Sequence, residues 1–145
     1  MGGLLARFGL IGAIGLGAFI FQDFLPGAAI DLEVGDCFDA PTTISEEVDE
    51  VARHPCTDAH TAEVFFVADH PDGAFPGEDG FDTFIETNCI PAFTTYTGLE
   101  WATAEEYDIG WFEPTPDGWS SGDHEMTCYV VRIDLGQMTS SVRAQ

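Results

Sequence analysis

The residues of this 145-residue chain best suited to chemistry are four cysteines, a few histidines and a large excess of carboxylates. The tightest group is Cys56-x-x-x-His60-x-x-Glu63, which sets a thiol, an imidazole and a carboxylate in close succession. Two chemistries suit it. In one, His60 donates a hydrogen bond that pins the loop after Cys56 and Glu63 is its partner; the same polar pair could instead bind a ligand. In the other, Cys56 and His60 join two further ligands from Cys37, Cys89, Cys128 or His124 around zinc, a donor set competent for that metal. No two cysteines have the C-x-x-C spacing of a zinc or redox motif. An even, dispersed set downstream of a membrane segment favours two disulfides among Cys37, Cys56, Cys89 and Cys128. The expectation is therefore disulfides, no metal and no cofactor, with His60 and Glu63 as a structural or binding pair.

Catalytic signatures are sparse, and the expectation is a protein that is not an enzyme. The chain has no G-x-S-x-G elbow, no H-E-x-x-H, no phosphate loop and no lysine to serve as base or Schiff-base former. Ser45, Ser120, Ser121, Ser140 and Ser141 fall in expected loops or the tail. Carboxylates are numerous enough that a pair for glycoside chemistry stays open. Trp101, Trp111, Trp119, Phe112 and Tyr107 concentrate aromatic surface in one third of the chain and read mostly as core. Trp119, in a turn between Gly118 and Ser120, is the candidate for exposure or for clamping its loop on Pro114.

The element that must position these groups is Phe81 to Tyr96. Phe81, Phe84, Ile85, Cys89, Ala92, Phe93 and Tyr96 follow the spacing of one buried helical face. Pro91 predicts a bend or break about one turn before Tyr96, and Gly98 a C-terminal stop. Ala62 to Ala68 reads as a buried strand, and Met126 to Leu135 is the strongest strand pattern, with Thr127, Tyr129, Val131 and Ile133 alternating against Cys128, Val130 and Arg132. Ile109 to Pro114 reads as a strand, TPDGWSSGD as a turn, His70 to Gly80 as a loop, and Leu32 to Phe38 as a short strand broken at Gly35-Asp36. Ile44, Val48 and Val51 suit one face of a short helix, although an acidic strand pair fits as well. The expected fold class is α+β: a small disulfide-stapled domain with a central helix on an antiparallel sheet, behind one N-terminal transmembrane helix. Of three possible pairings, Cys37–Cys56 would tie two strand ends and Cys89–Cys128 would staple helix to sheet.

Length allows one domain and an anchor. Residues 1–30 read as a cytoplasmic stub and transmembrane anchor, 31–136 as the extracytoplasmic domain and 137–145 as a flexible tail. Leu4 to Phe21 carries only Arg7 as a charge, and the apolar run continues to Ile30 apart from Gln22 and Asp23, which is enough to span a bilayer. Arg7 places the N-terminus in the cytoplasm, giving a single-pass protein of the cell membrane. Gly27-Ala28-Ala29 would suit cleavage, and both readings export the domain. Gly9, Ala13 and Gly17 form a small-residue stripe fit for helix–helix association. Twenty-six acidic residues against four arginines give a net charge of −22, which excludes nucleic acid as a partner and fits an acidic, solvated surface.

Taken in order, Val34-Gly35-Asp36-Cys37-Phe38, Val51, Cys56 to Val64, Phe75-Pro76-Gly77, Cys89 with Phe93, Tyr96 and Gly98, then Trp111, Pro114, Trp119, Gly122-Asp123 and Cys128 form a pattern. It resembles the septum-formation domain of actinobacterial membrane-anchored proteins and runs from Leu32 to Leu135. It departs at His124, where that family usually has arginine. The resemblance implies a link to cell division. The expected function is thus a membrane-anchored extracytoplasmic binding domain with a protein or cell-envelope partner. The alternatives are a cell-wall-directed hydrolase using a carboxylate pair and a structural subunit of a larger membrane complex.

Overall fold

The computed structural model of the chain describes residues 32–41, 51–71 and 73–145. The expected anchor at 1–30, its Gly9, Ala13 and Gly17 stripe and the acidic stretch 42–50 lie outside the described residues. Among the described residues, no helix is long and apolar enough to cross a membrane.

Five strands build one antiparallel sheet: β1 (Cys37–Phe38), β2 (Arg53–His54), β3 (Ala62–Asp69), β4 (Tyr107–Phe112) and β5 (Glu125–Arg132), in the order β2-β1-β3-β5-β4. The helical segment lies on one face. It comprises α1 (Gly77–Phe84), a π-helical turn (Ile85–Cys89) and α2 (Ile90–Thr97). Phe81, Phe84, Ile85, Cys89, Phe93 and Tyr96 from it meet Phe65, Ile109, Trp111, Met126, Cys128 and Val130 from the sheet in one buried cluster. The expected central helix on an antiparallel sheet is therefore present.

Three local differences have physical causes. The helix begins at Gly77, inside the expected loop, because Pro76 leads in and Glu78 and Asp79 complement the positive end of the helix dipole. The expected interruption at Pro91 takes the form of a change in helical winding ahead of it. The chain widens into the π turn just ahead, Pro91 enters the first turn of α2, and the proline's missing amide costs little there. Gly98, at φ +78°, then stops the helix as expected. The segment read as a turn at Asp117-Gly118 is a short helix, α3 (Pro116–Ser120), whose Thr115 hydroxyl accepts from the Gly118 amide.

The apolar run of β3 serves both faces of the sheet. Its register slips between Val64, opposite Tyr129, and Phe66, opposite Cys128. This bulge turns Phe65 and Phe66 both toward the helix, after which Val67 returns to the far face with Ala62 and Val64. A second cluster of Leu32, Phe38, Ala62, Val64, Phe112, Tyr129 and Val131 fills that far face. The expected alternation of Tyr129 and Val131 against Cys128 and Val130 is thus the division between two cores. Gly110 faces Tyr129 across β4 and β5, and a Cβ there would sit 2.6 Å from the tyrosine ring. Ile133, expected to continue the strand, lies beyond β5 and is exposed.

The disulfides are Cys37–Cys56 and Cys89–Cys128, the expected pairing. In place of the expected flexible tail, 137–145 is tied to the domain. Met138 exchanges backbone hydrogen bonds with His60, and the Ala144 amide donates to the Tyr96 carbonyl. Val142 packs against the helix-side core.

Candidate functional site

Glu63 is the polar centre of the domain. It stands on β3, directly opposite Cys37 of β1, and is fully buried. Burying a carboxylate is tolerable only when donors saturate it. The Tyr96 hydroxyl donates to Oε2 at 2.5 Å, the Ser141 hydroxyl to the same oxygen at 2.6 Å, and the Val142 amide to Oε1 at 2.8 Å. Burial, followed by the hydrogen bond to Glu63 and its charge, pushes the Tyr96 hydroxyl up to about 12, so it stays a donor at physiological pH. The Arg143 guanidinium lies 4.8 Å from the Tyr96 ring centroid, and the Arg143 amide donates to Ser141. Helix, sheet and tail are locked together at this carboxylate.

His60 is also fully buried, beside Glu63, but the two do not share the expected hydrogen bond. Its Nδ1 donates to the Asp58 carbonyl at 2.7 Å, which pins the loop after Cys56 as expected. Glu63 takes its donors from Tyr96 and the tail instead. The expected zinc partners of His60 are otherwise engaged: all four cysteines are in disulfides, and His124 stacks on Trp119 with ring centroids 3.8 Å apart. The residues whose donor atoms do converge are Cys37, His60 and Glu63, within 4.8 Å of one another.

Trp119 is buried, not exposed, because α3 turns it into an aromatic ladder. It packs edge-on against His70 and Phe75, and Phe75 in turn meets Phe81. Trp119 therefore clamps the loop before α1 through Phe75 and His70. His124, at the position where the resemblance leads one to expect arginine, stacks its flat ring on the same indole. Phe75 remains 38% exposed at the end of the ladder.

Glu113 escapes any reading of the sequence. It is buried at the end of β4 and accepts from the Trp111 indole nitrogen at 2.7 Å. Burial, reinforced by the nearby negative charges of Asp82 and Glu78 and partly offset by the indole, pushes its carboxyl up to about 8. Glu78, Asp79, Asp82 and Glu86 line the exposed side of the helix above it. Asp82 is raised too, through burial and the charges of Glu78, Asp79 and Glu86. The only trace in sequence is a glutamate closing an apolar strand, Ile109 to Phe112, just before Pro114.

No curated protein and no solved structure matches the chain. The septum formation family matches it over residues 34–144. That span takes in both disulfides, the Glu63 lock with Ser141, Val142 and Arg143, and the Phe75–Trp119 ladder. By this match across most of its length, the chain belongs to the septum formation family.

Proposed function

We propose that the protein is a membrane-anchored, extracytoplasmic interaction domain that acts in septum formation during cell division. The family match over 34–144 carries the division link. Residues 1–30 supply the anchor, with the N-terminus in the cytoplasm, and the Gly9, Ala13 and Gly17 stripe offers a face for helix–helix association. The docking surface is Phe75 together with the acidic ridge of Glu78, Asp79, Asp82 and Glu86. Phe75 is exposed on a rigid backing of Phe81 and Trp119, an arrangement suited to an aromatic anchor in an interface. The ridge selects a basic partner and speeds its encounter.

Pull-down of the tagged full-length protein from native membranes tests this. The expected result is a protein or envelope component that is retained by the wild type and lost from a Phe75→Ala, Asp79→Lys variant that folds normally. An identical set of captured components from both would refute the docking surface. Normal septa in cells lacking the protein would refute the division role. N-terminal sequencing checks the anchor, because a mature chain starting at Ile30 would make the domain secreted. A second reading, a cell-wall hydrolase, draws on Glu113, whose carboxyl is raised to about 8 and so keeps a proton near neutral pH. Release of wall fragments by the purified domain, abolished in Glu113→Gln, would favour it.

A further inference from the structure

The corner of Cys37, His60 and Glu63 holds more donor capacity than the folded domain uses. Pairing of β1 with β3 sets Cys37 opposite Glu63, and the bridge to Met138 fixes His60 beside them. Because a carbonyl only accepts, the contact of His60 Nδ1 with the Asp58 oxygen puts the proton of the neutral ring on Nδ1. Nε2 is then a lone pair. It is fully buried and has no hydrogen-bond partner among the described residues. Glu63 Oε2 accepts twice, whereas Oε1 accepts only from the Val142 amide and keeps a lone pair. The third donor at this corner, the sulfur of Cys37, is tied to Cys56 in a disulfide, and a metal ligand must be a thiolate.

We propose that reduction of the Cys37–Cys56 disulfide converts this corner into a site for a divalent cation of the zinc class. The ligands are the Cys37 and Cys56 thiolates, His60 Nε2 and Glu63 Oε1. An external dithiol supplies two electrons and two protons to the S–S bond and becomes a disulfide itself, and the two new thiols lose their protons as the metal binds. The geometry is close to what the metal needs. Tetrahedral bonds of about 2.0–2.3 Å put ligand atoms about 3.3–3.8 Å apart; the Cys37 sulfur, a ring nitrogen of His60 and a carboxylate oxygen of Glu63 already lie within 4.8 Å of one another, and the Cys56 sulfur is bonded to that of Cys37. The Asp58 carbonyl already orients the imidazole in the way an outer hydrogen bond orients a metal-bound histidine. Access favours this disulfide as well: Cys56 is partly exposed, whereas Cys89 and Cys128 are both fully buried. The site would make the domain responsive to thiol poise and to metal together, at a corner that also holds the tail through Glu63.

Cobalt(II) alone serves as the probe. The purified protein is reduced with a mild dithiol, desalted without air and titrated, with peptide mapping to show which disulfide has opened. The expected result is one equivalent bound, with a thiolate-to-cobalt charge-transfer band and tetrahedral ligand-field bands, and neither band in the oxidised protein. His60→Gln should weaken binding at least about tenfold. The Cys37→Ser, Cys56→Ser variant, which keeps Cys89–Cys128 closed, should lose the charge-transfer band. Equal binding by the oxidised protein, spectra without thiolate, an affinity indifferent to His60→Gln, or a thiol form that takes up no cobalt, folded or unfolded, would each overturn the proposal.

Discussion

Replacing Glu113 by glutamine should remove a specific dependence of stability on pH. In the unfolded chain this carboxyl has its ordinary value of 4.5, while in the folded protein burial raises it to about 8. The folded state therefore keeps a proton that the unfolded state releases, and this difference opens as pH rises past 4.5. The stabilisation is fully present below 4.5 and is lost progressively until pH passes 8. At 1.36 kcal/mol per pH unit, the wild type should lose about 3 kcal/mol on this account between pH 4.5 and 7, and about 5 kcal/mol by pH 9. That is a large part of the roughly 5–15 kcal/mol expected for a whole domain. Glutamine keeps an oxygen for the Trp111 indole and the size of the side chain, but it does not titrate. Asp82 is raised as well, so the informative quantity is the difference between the two proteins. Urea unfolding of the purified domain at half-unit steps from pH 4.5 to 9 measures it. The expected result is that Glu113→Gln gains on the wild type steadily as pH rises. Two curves that stay parallel within about 0.5 kcal/mol would refute the buried, protonated Glu113, since the linkage follows directly from the shift.

Phe93→Ala, which empties a fully buried position beneath Phe65 and Trp101, should cost about 3–5 kcal/mol, and a loss below about 1 kcal/mol would show that the helix is peripheral. Gly110→Ala drives a methyl into the Tyr129 ring and should cost about 1–3 kcal/mol, read as a lowered urea midpoint. Truncation after Gly136 strips Glu63 of the Ser141 hydroxyl and the Val142 amide. It should cost about 2 kcal/mol or more, and an unchanged midpoint would mean that the tail does not seal the carboxylate. Cys89→Ser opens a bridge spanning 39 residues and should lower stability by about 4 kcal/mol, against about 3 kcal/mol for the 19-residue bridge lost in Cys37→Ser.

What the sequence determined by itself was set by periodicity and by local backbone chemistry. The helical spacing from Phe81 to Tyr96 marked the face that meets the sheet, Gly98 marked the stop, and the period of two in Met126 to Arg132 marked both faces of β5. The disulfide pairing followed, because a cysteine on a buried helical face and one in a buried strand have few other partners. The bulge at Phe65 was hidden, since a continuous apolar run carries no period from which a slip in register can be read. Pro91 marked the interruption of the α-helix, but its form, a π turn ahead of the proline, depends on packing against the sheet. The role of Glu63 was out of reach for a different reason. Its donors come from residues 96, 141 and 142, and nothing local to β3 announces that a C-terminal segment will close over it. The same holds for Trp119 and Glu113. A tryptophan between glycine and serine looks exposed, and a glutamate before proline looks like a strand end, until α3 and the helix cover them. Burial, and with it the protonation of Glu113 and the lone pair left on His60, is a property of what the chain brings back from far away. Only the tertiary structure decided it, because solvent exclusion depends on every neighbour at once.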